Sequence, residues 1–106
     1  MQDVQAGSSN ATIEVSCWDK VGAARVPTSA TYKTLGWEDG GYASKTELRA
    51  LTSLTPLAAE MEISLDATDT TLIDAANSFE WRRVCVYVDE AFWDSYTFRV
   101  VKPSCS

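Results

Sequence analysis

Short segments in which apolar and polar residues alternate recur from residue 11 to residue 101, and this period of two constrains the chain more than any other feature. Successive side chains of a strand point to opposite sides, so such a segment builds a strand with one face in a core and one in water. In residues 12–18, Ile13, Val15 and Cys17 share one side while Thr12, Glu14 and Ser16 share the other. Residues 60–65 repeat the pattern, with Met61, Ile63 and Leu65 facing in and Glu60, Glu62 and Ser64 facing out. Residues 82–88 set Val84, Val86 and Val88 against Arg83, Cys85 and Tyr87, and residues 96–100 gather Tyr96, Phe98 and Val100 on one face. Residues 30–34 and 47–51 read as two further strands. Six or seven short strands with almost no helix specify an all-β sandwich or small barrel. The expected core is Ile13, Val15, Tyr32, Met61, Ile63, Leu65, Val84, Val86, Val88, Phe98 and Val100, because a slip of one residue would expose the whole set.

The punctuation fits this reading. Asp19 to Gly22 has turn chemistry, and Val26 must be extended because it precedes Pro27. Three glycines in the seven residues 36–42 predict a loop or wide hairpin that carries Trp37 and Tyr42. Asp66 or Thr68 is placed to cap a single helical turn, which would set Leu72 and Ile73 against the core. Residues 89–94, with Phe92 and Trp93, read as a hairpin link. With no repeat and no linker, the chain reads as an N-terminal arm (1–10), one sandwich (11–102) and a C-terminal tail (103–106).

Composition excludes several partners. The 106 residues carry a formal charge of −6, and their nine Lys and Arg are scattered. Nucleic acid requires a basic face that releases counterions, so none is expected as a ligand. Anionic membranes are disfavoured for the same reason. No apolar stretch nears the roughly 20 residues that cross a bilayer, and the first ten residues lack the basic start and apolar run of a secretory leader. Cys17, Cys85 and Cys105 make an odd count. Reduced, buried thiols are the expectation for cytoplasmic synthesis. Cys105, past Pro103, is the thiol expected to stay free or to meet another chain.

Catalytic chemistry finds little to stand on. The chain has no histidine, and no nucleophile elbow presents a serine. Glu60 and Glu62 share a strand face, where charge protects an edge from pairing with other chains. Asp66, Asp69 and Asp74 offer oxygen ligands for calcium, but their spacing is not that of a calcium loop, and turn and cap duty accounts for them. No metal, cofactor or catalytic residue is expected. Cys17, Trp37 and Cys85 follow the order of an immunoglobulin disulfide and its tryptophan, yet alternation turns Cys85 away from the core side of Cys17. Trp37, Tyr42, Phe92 and Trp93 are the candidate interface residues, since large aromatic side chains in loops anchor protein contacts. A sugar-stacking platform is the rival reading of the same rings.

From Pro27 onward the chain resembles small immunoglobulin-like virion structural proteins of tailed bacteriophages. The resemblance rests on Pro27-Thr-Ser-Ala-Thr-Tyr32, Leu51-Thr-Ser-Leu-Thr-Pro56, Ala59-Glu-Met-Glu-Ile-Ser-Leu65, Asp74-Ala-Ala-Asn77, Arg82-Arg-Val-Cys-Val86 and Tyr96-Thr-Phe-Arg-Val100. Lys33 stands where the family pattern has arginine, and Leu57 where it has alanine. The resemblance implies an immunoglobulin-like β-sandwich of about seven antiparallel strands. It also implies a non-enzymatic accessory protein of the virion, made in the host cytoplasm, that binds larger proteins of the tail or head–tail region in copies set by particle symmetry. Capsid decoration is the neighbouring reading, and a carbohydrate-binding module that contacts the host surface is the rival from another class.

Overall fold

The alternating segments pair into two sheets that face each other across one core. The computed structural model describes residues 3–9, 11–17, 22, 23 and 25–102. Its strands are β1 (Asp3–Gln5), β2 (Thr12–Ser16), β3 (Ala30–Trp37), β4 (Thr46–Ser53), β5 (Glu60–Ser64), β6 (Phe79–Val88) and β7 (Ala91–Val101). A single helical turn, α1 (Ala67–Thr70), follows β5, and a 3₁₀ turn (Tyr42–Ser44) joins β3 to β4. One sheet has five strands in the order β1-β7-β6-β3-β4, and the other pairs β2 with β5. Placing β7-β6-β3 on one sheet and β2-β5 on the other is the strand arrangement of an immunoglobulin-like sandwich.

One feature of the expected architecture changes. The large sheet is mixed, because β1 runs parallel to β7 with Asp3 opposite Arg99 and Gln5 opposite Val101. This strand lies inside the segment read as an N-terminal arm. The bidentate contact of Arg99 with Asp3, at 2.7 and 3.0 Å, ties it down.

The core follows the phase of the alternation. Val15, Tyr32, Met61, Ile63, Leu65, Val84, Val86, Val88, Phe98 and Val100 are buried, with Ile13 half-buried against them. Burial of each large apolar side chain contributes about 1.5–3 kcal/mol. Glu14, Glu60 and Glu62 stay on the surface. Cys17 belongs to this core and Cys85 to the opposite face of its sheet, and both thiols are free. Cys105 and the tail lie outside the described residues.

Three local expectations are corrected. Trp37 ends β3 and is not in a loop, because Gly36 continues the strand where a side chain would meet the Arg82 guanidinium and Leu48 at 2.8 Å. Phe92 and Trp93 lie on β7, since the hairpin from β6 turns through only Asp89 and Glu90. Ile73 is exposed, while Leu72 alone of that pair packs on the core.

Asp89 and Glu90 both have positive φ, 52° and 67°, a conformation in which a Cβ is crowded. Asp89 is compensated there, because its carboxylate accepts hydrogen bonds from the Thr28 and Ser29 N–H groups, the Thr28 hydroxyl and Arg25. Among the described residues Glu90 has no such anchor. Glu90→Gly is therefore expected to raise stability by up to about 1 kcal/mol, the left-handed penalty less the added chain entropy of glycine. A urea midpoint unchanged or lowered by this substitution would contradict that account.

Candidate functional site

The acidic residues that suggested a cation site are committed to the protein itself. Asp66 caps α1 by accepting the Thr68 N–H at 2.8 Å, and Asp69 Oδ2 accepts the Asp66 N–H at 3.1 Å. Asp69 is fully buried. It also accepts from the Thr34 hydroxyl at 2.7 Å and from Arg49 at 3.0 and 3.1 Å. Asp74 turns back on its own loop to accept the Ala76 N–H. Among the described residues no group of three acidic or sulfur ligands is placed to hold a metal.

A second buried charge pair lies beside the first. Arg82 and Glu80 occupy the inner face of β6, in phase with Val84, and neither is exposed. Arg82 donates to Glu80 at 2.9 Å and to the carbonyls of Asp69, Thr71 and Trp81. Glu80 also accepts the N–H groups of Ile73 and Asp74 and the Asn77 amide. Every buried side-chain polar atom among the described residues has a partner. The network binds the 66–77 segment to the large sheet and has no open coordination site, so it is structural.

Burial alone would push the Glu80 carboxyl up, yet the Asp74 and Ile73 N–H groups, Asn77 and Arg82 outweigh it and hold the group below its ordinary range. Asp66 is held low as well, first by the Thr68 N–H and also by Arg49. A carboxylate with a depressed folded pKa adds stability that is complete above its unfolded value and is lost as pH falls through the folded one. Stability is therefore expected to fall from near the ordinary glutamate value of about 4.3 downward. Urea midpoints followed from neutral to acid pH test this, and a flat profile through that window would refute it.

What remains open is the outer face of the five-stranded sheet. Side chains of β6 that point away from the core are Phe79, Trp81, Arg83, Cys85 and Tyr87. Aromatic rings and cations alternate across them. Arg83 lies over the rings of Trp37 and Tyr42 at 5.6 and 5.2 Å, Lys45 over Tyr42 at 4.6 Å, Arg99 over Phe79 at 5.3 Å and Lys33 over Tyr87 at 5.8 Å. Such contacts hold long cationic side chains flat against the sheet. Phe92, edge-on to Tyr87 at 6.0 Å, is 61% exposed and Tyr42 is 43% exposed.

The four aromatic residues singled out from the sequence separate into different roles. Trp37 and Tyr42 meet edge-to-face at 4.8 Å, with Trp37 only 8% exposed beneath Tyr42 and Arg83. Phe92 stands at the other end of the same face. Trp93 is turned inward, because the ladder slips by one residue there and leaves it unpaired between Phe92 and Asp94. Its indole packs on the core and donates to the Ser16 carbonyl at 3.2 Å. The sequence reading weighed Trp81 with the other aromatics but missed Arg83, Lys33 and Arg99, whose alternation with the core positions of their strands was the available signal.

The opposite side of the sandwich has the other sign. On β2 and β5, Glu14 pairs directly with Glu62, and Glu60 stands opposite Ser16. A chain with net charge −6 thus presents an acidic small sheet and a cation-lined aromatic large one. Comparison with protein-family models, curated proteins and solved structures gives no significant match.

Proposed function

We propose that this chain is a non-enzymatic accessory structural protein of a bacteriophage virion, which binds a larger virion protein through the outer face of its five-stranded sheet. The observation that carries the contact is the run of half-exposed rings and cations on β3, β6 and β7, ending in the exposed Phe92. Rings and arginine are the side chains that dominate interface energetics, and cations stacked on rings are already partly ordered before a partner arrives. The virion context rests on the sequence resemblance. The tail or head–tail region remains the preferred location and capsid decoration the neighbouring one. The acidic small sheet would keep the free subunit soluble before assembly. Sugar stacking has less support. Donors do stand beside Trp37 and Trp93, as that reading asks, but they are Arg83 and Arg25 lying over the rings themselves. Tyr42 also meets the Trp37 ring, so little of it is free for a saccharide.

Add-back of purified protein to particles that lack it tests the proposal. Phe92→Ala and Arg83→Glu are expected to leave circular dichroism unchanged. Each should weaken incorporation by about 2 kcal/mol, a factor of about 30 in affinity. Normal copy number for both variants would move the contact off this face. Trp93→Ala does not serve, because its indole is part of the packed interior.

A further inference from the structure

The small sheet leaves one edge open beside a cleft in the core. The hydrogen bonds from Leu65 N–H to the Ala11 carbonyl and from Cys17 N–H to the Ala59 carbonyl flank the β2–β5 ladder. In an antiparallel pair bonded residues alternate, so Ile13 and Val15 bond to β5 while Thr12 and Glu14 turn their N–H and C=O groups to the other side. Among the described residues nothing accepts or donates there, and the nearest cross-contact is the Trp93 indole on Ser16. Next to this edge lies a cleft of about 230 Å³ between β2 and β7, lined by Val4, Ile13, Leu65, Tyr96 and Phe98 among others. The five-stranded sheet is wider than the two strands that cover it, and the cleft is where the cover stops.

We infer that β2 and this cleft form a docking site for an extended segment of a partner protein in which lysines alternate with apolar residues. A strand laid along β2 would exchange backbone hydrogen bonds with Thr12 and Glu14. It would point alternate side chains into the cleft, the geometry of β-strand addition. Its remaining side chains would emerge on the outer face of the small sheet, beside Glu14 and Glu62. That charge selects the occupant. A second copy paired through β2 would set glutamates against each other, which opposes self-association, whereas lysines on a foreign strand meet complementary charge. The site is independent of the aromatic face, takes its edge from the other sheet and its cleft from the inner side of β7, and can fail without it.

NMR titration of the labelled full chain with a capped Lys-Val-Lys-Val-Lys-Val-Lys peptide tests the inference. The expected result is shifts at Thr12, Glu14, Tyr96 and Phe98, with slowed hydrogen exchange at the Thr12 and Glu14 amides. Glu14→Lys, at an exposed position, is expected to stay folded and to lower peptide affinity about tenfold or more. The inference is overturned by an absence of shifts at millimolar peptide, or by shifts confined to β4 or the aromatic face. Equal binding of a peptide with glutamate in place of lysine would also overturn it, as would shifts at Thr12 that depend on protein concentration alone, the mark of self-pairing.

Discussion

Arg82→Ala is expected to destabilise the domain by about 3–5 kcal/mol, the cost of leaving one member of a buried ion pair without its partner. The side chain is fully buried, and its removal takes the charge partner from the Glu80 carboxylate and the donor from the carbonyls of Asp69 and Thr71. Domains of this size are stable by about 5–15 kcal/mol, so the variant should lose at least about a fifth of its stability. Joint replacement by Arg82→Met and Glu80→Leu should cost much less than the two single changes combined, because no charge is then left buried. Urea unfolding of the four chains gives the coupling. A loss below about 1 kcal/mol for Arg82→Ala would mean that water or a neighbouring group replaces the guanidinium.

Asp69→Ala is expected to cost about 3 kcal/mol or more, since it leaves the Thr34 hydroxyl and the Asp66 N–H without their acceptor and Arg49 with Asp66 as its remaining carboxylate. Asp69→Asn keeps one acceptor oxygen and should cost less. The same pair of variants separates this role from calcium binding. If Asp69 works through Arg49 and Thr34, a chelator leaves the melting midpoint of the unaltered protein where it is. A fall in that midpoint on adding EDTA would reinstate the cation reading of Asp66, Asp69 and Asp74.

Alternation made the sandwich legible because a half-buried strand needs one apolar face, and β2, β5, β6 and the end of β7 each write that face in full. The same parity extends to Glu80 and Arg82, but charge at a core phase reads as the end of a strand unless its partners are known. Those partners come from residues 69–77, which only the fold brings near. Phe92 and Trp93 were misplaced for a different reason. The Asp89-Glu90 turn has positive φ at both residues without the glycine or asparagine that usually announces it, so the hairpin looked longer than it is. The aromatic candidates were chosen for lying in loops, whereas the open surface is a strand face whose rings come from β3, β6 and β7 in register. Trp37 faces Trp81 across that ladder, a neighbour that no local pattern reveals.

The parallel pairing of β1 with β7 determines how the domain takes a load. Tension applied upstream of Asp3 and downstream of Val101 pulls the two strands in opposite directions along their common axis. The rungs at Asp3, Val4 and Gln5 are then stretched together, and the Arg99–Asp3 clamp stretches with them. An antiparallel hairpin pulled at its open end would instead lose its rungs in succession, like a zip. A module built this way resists extension by a shear lock, and sideways peeling of the first few residues is the direction in which it yields.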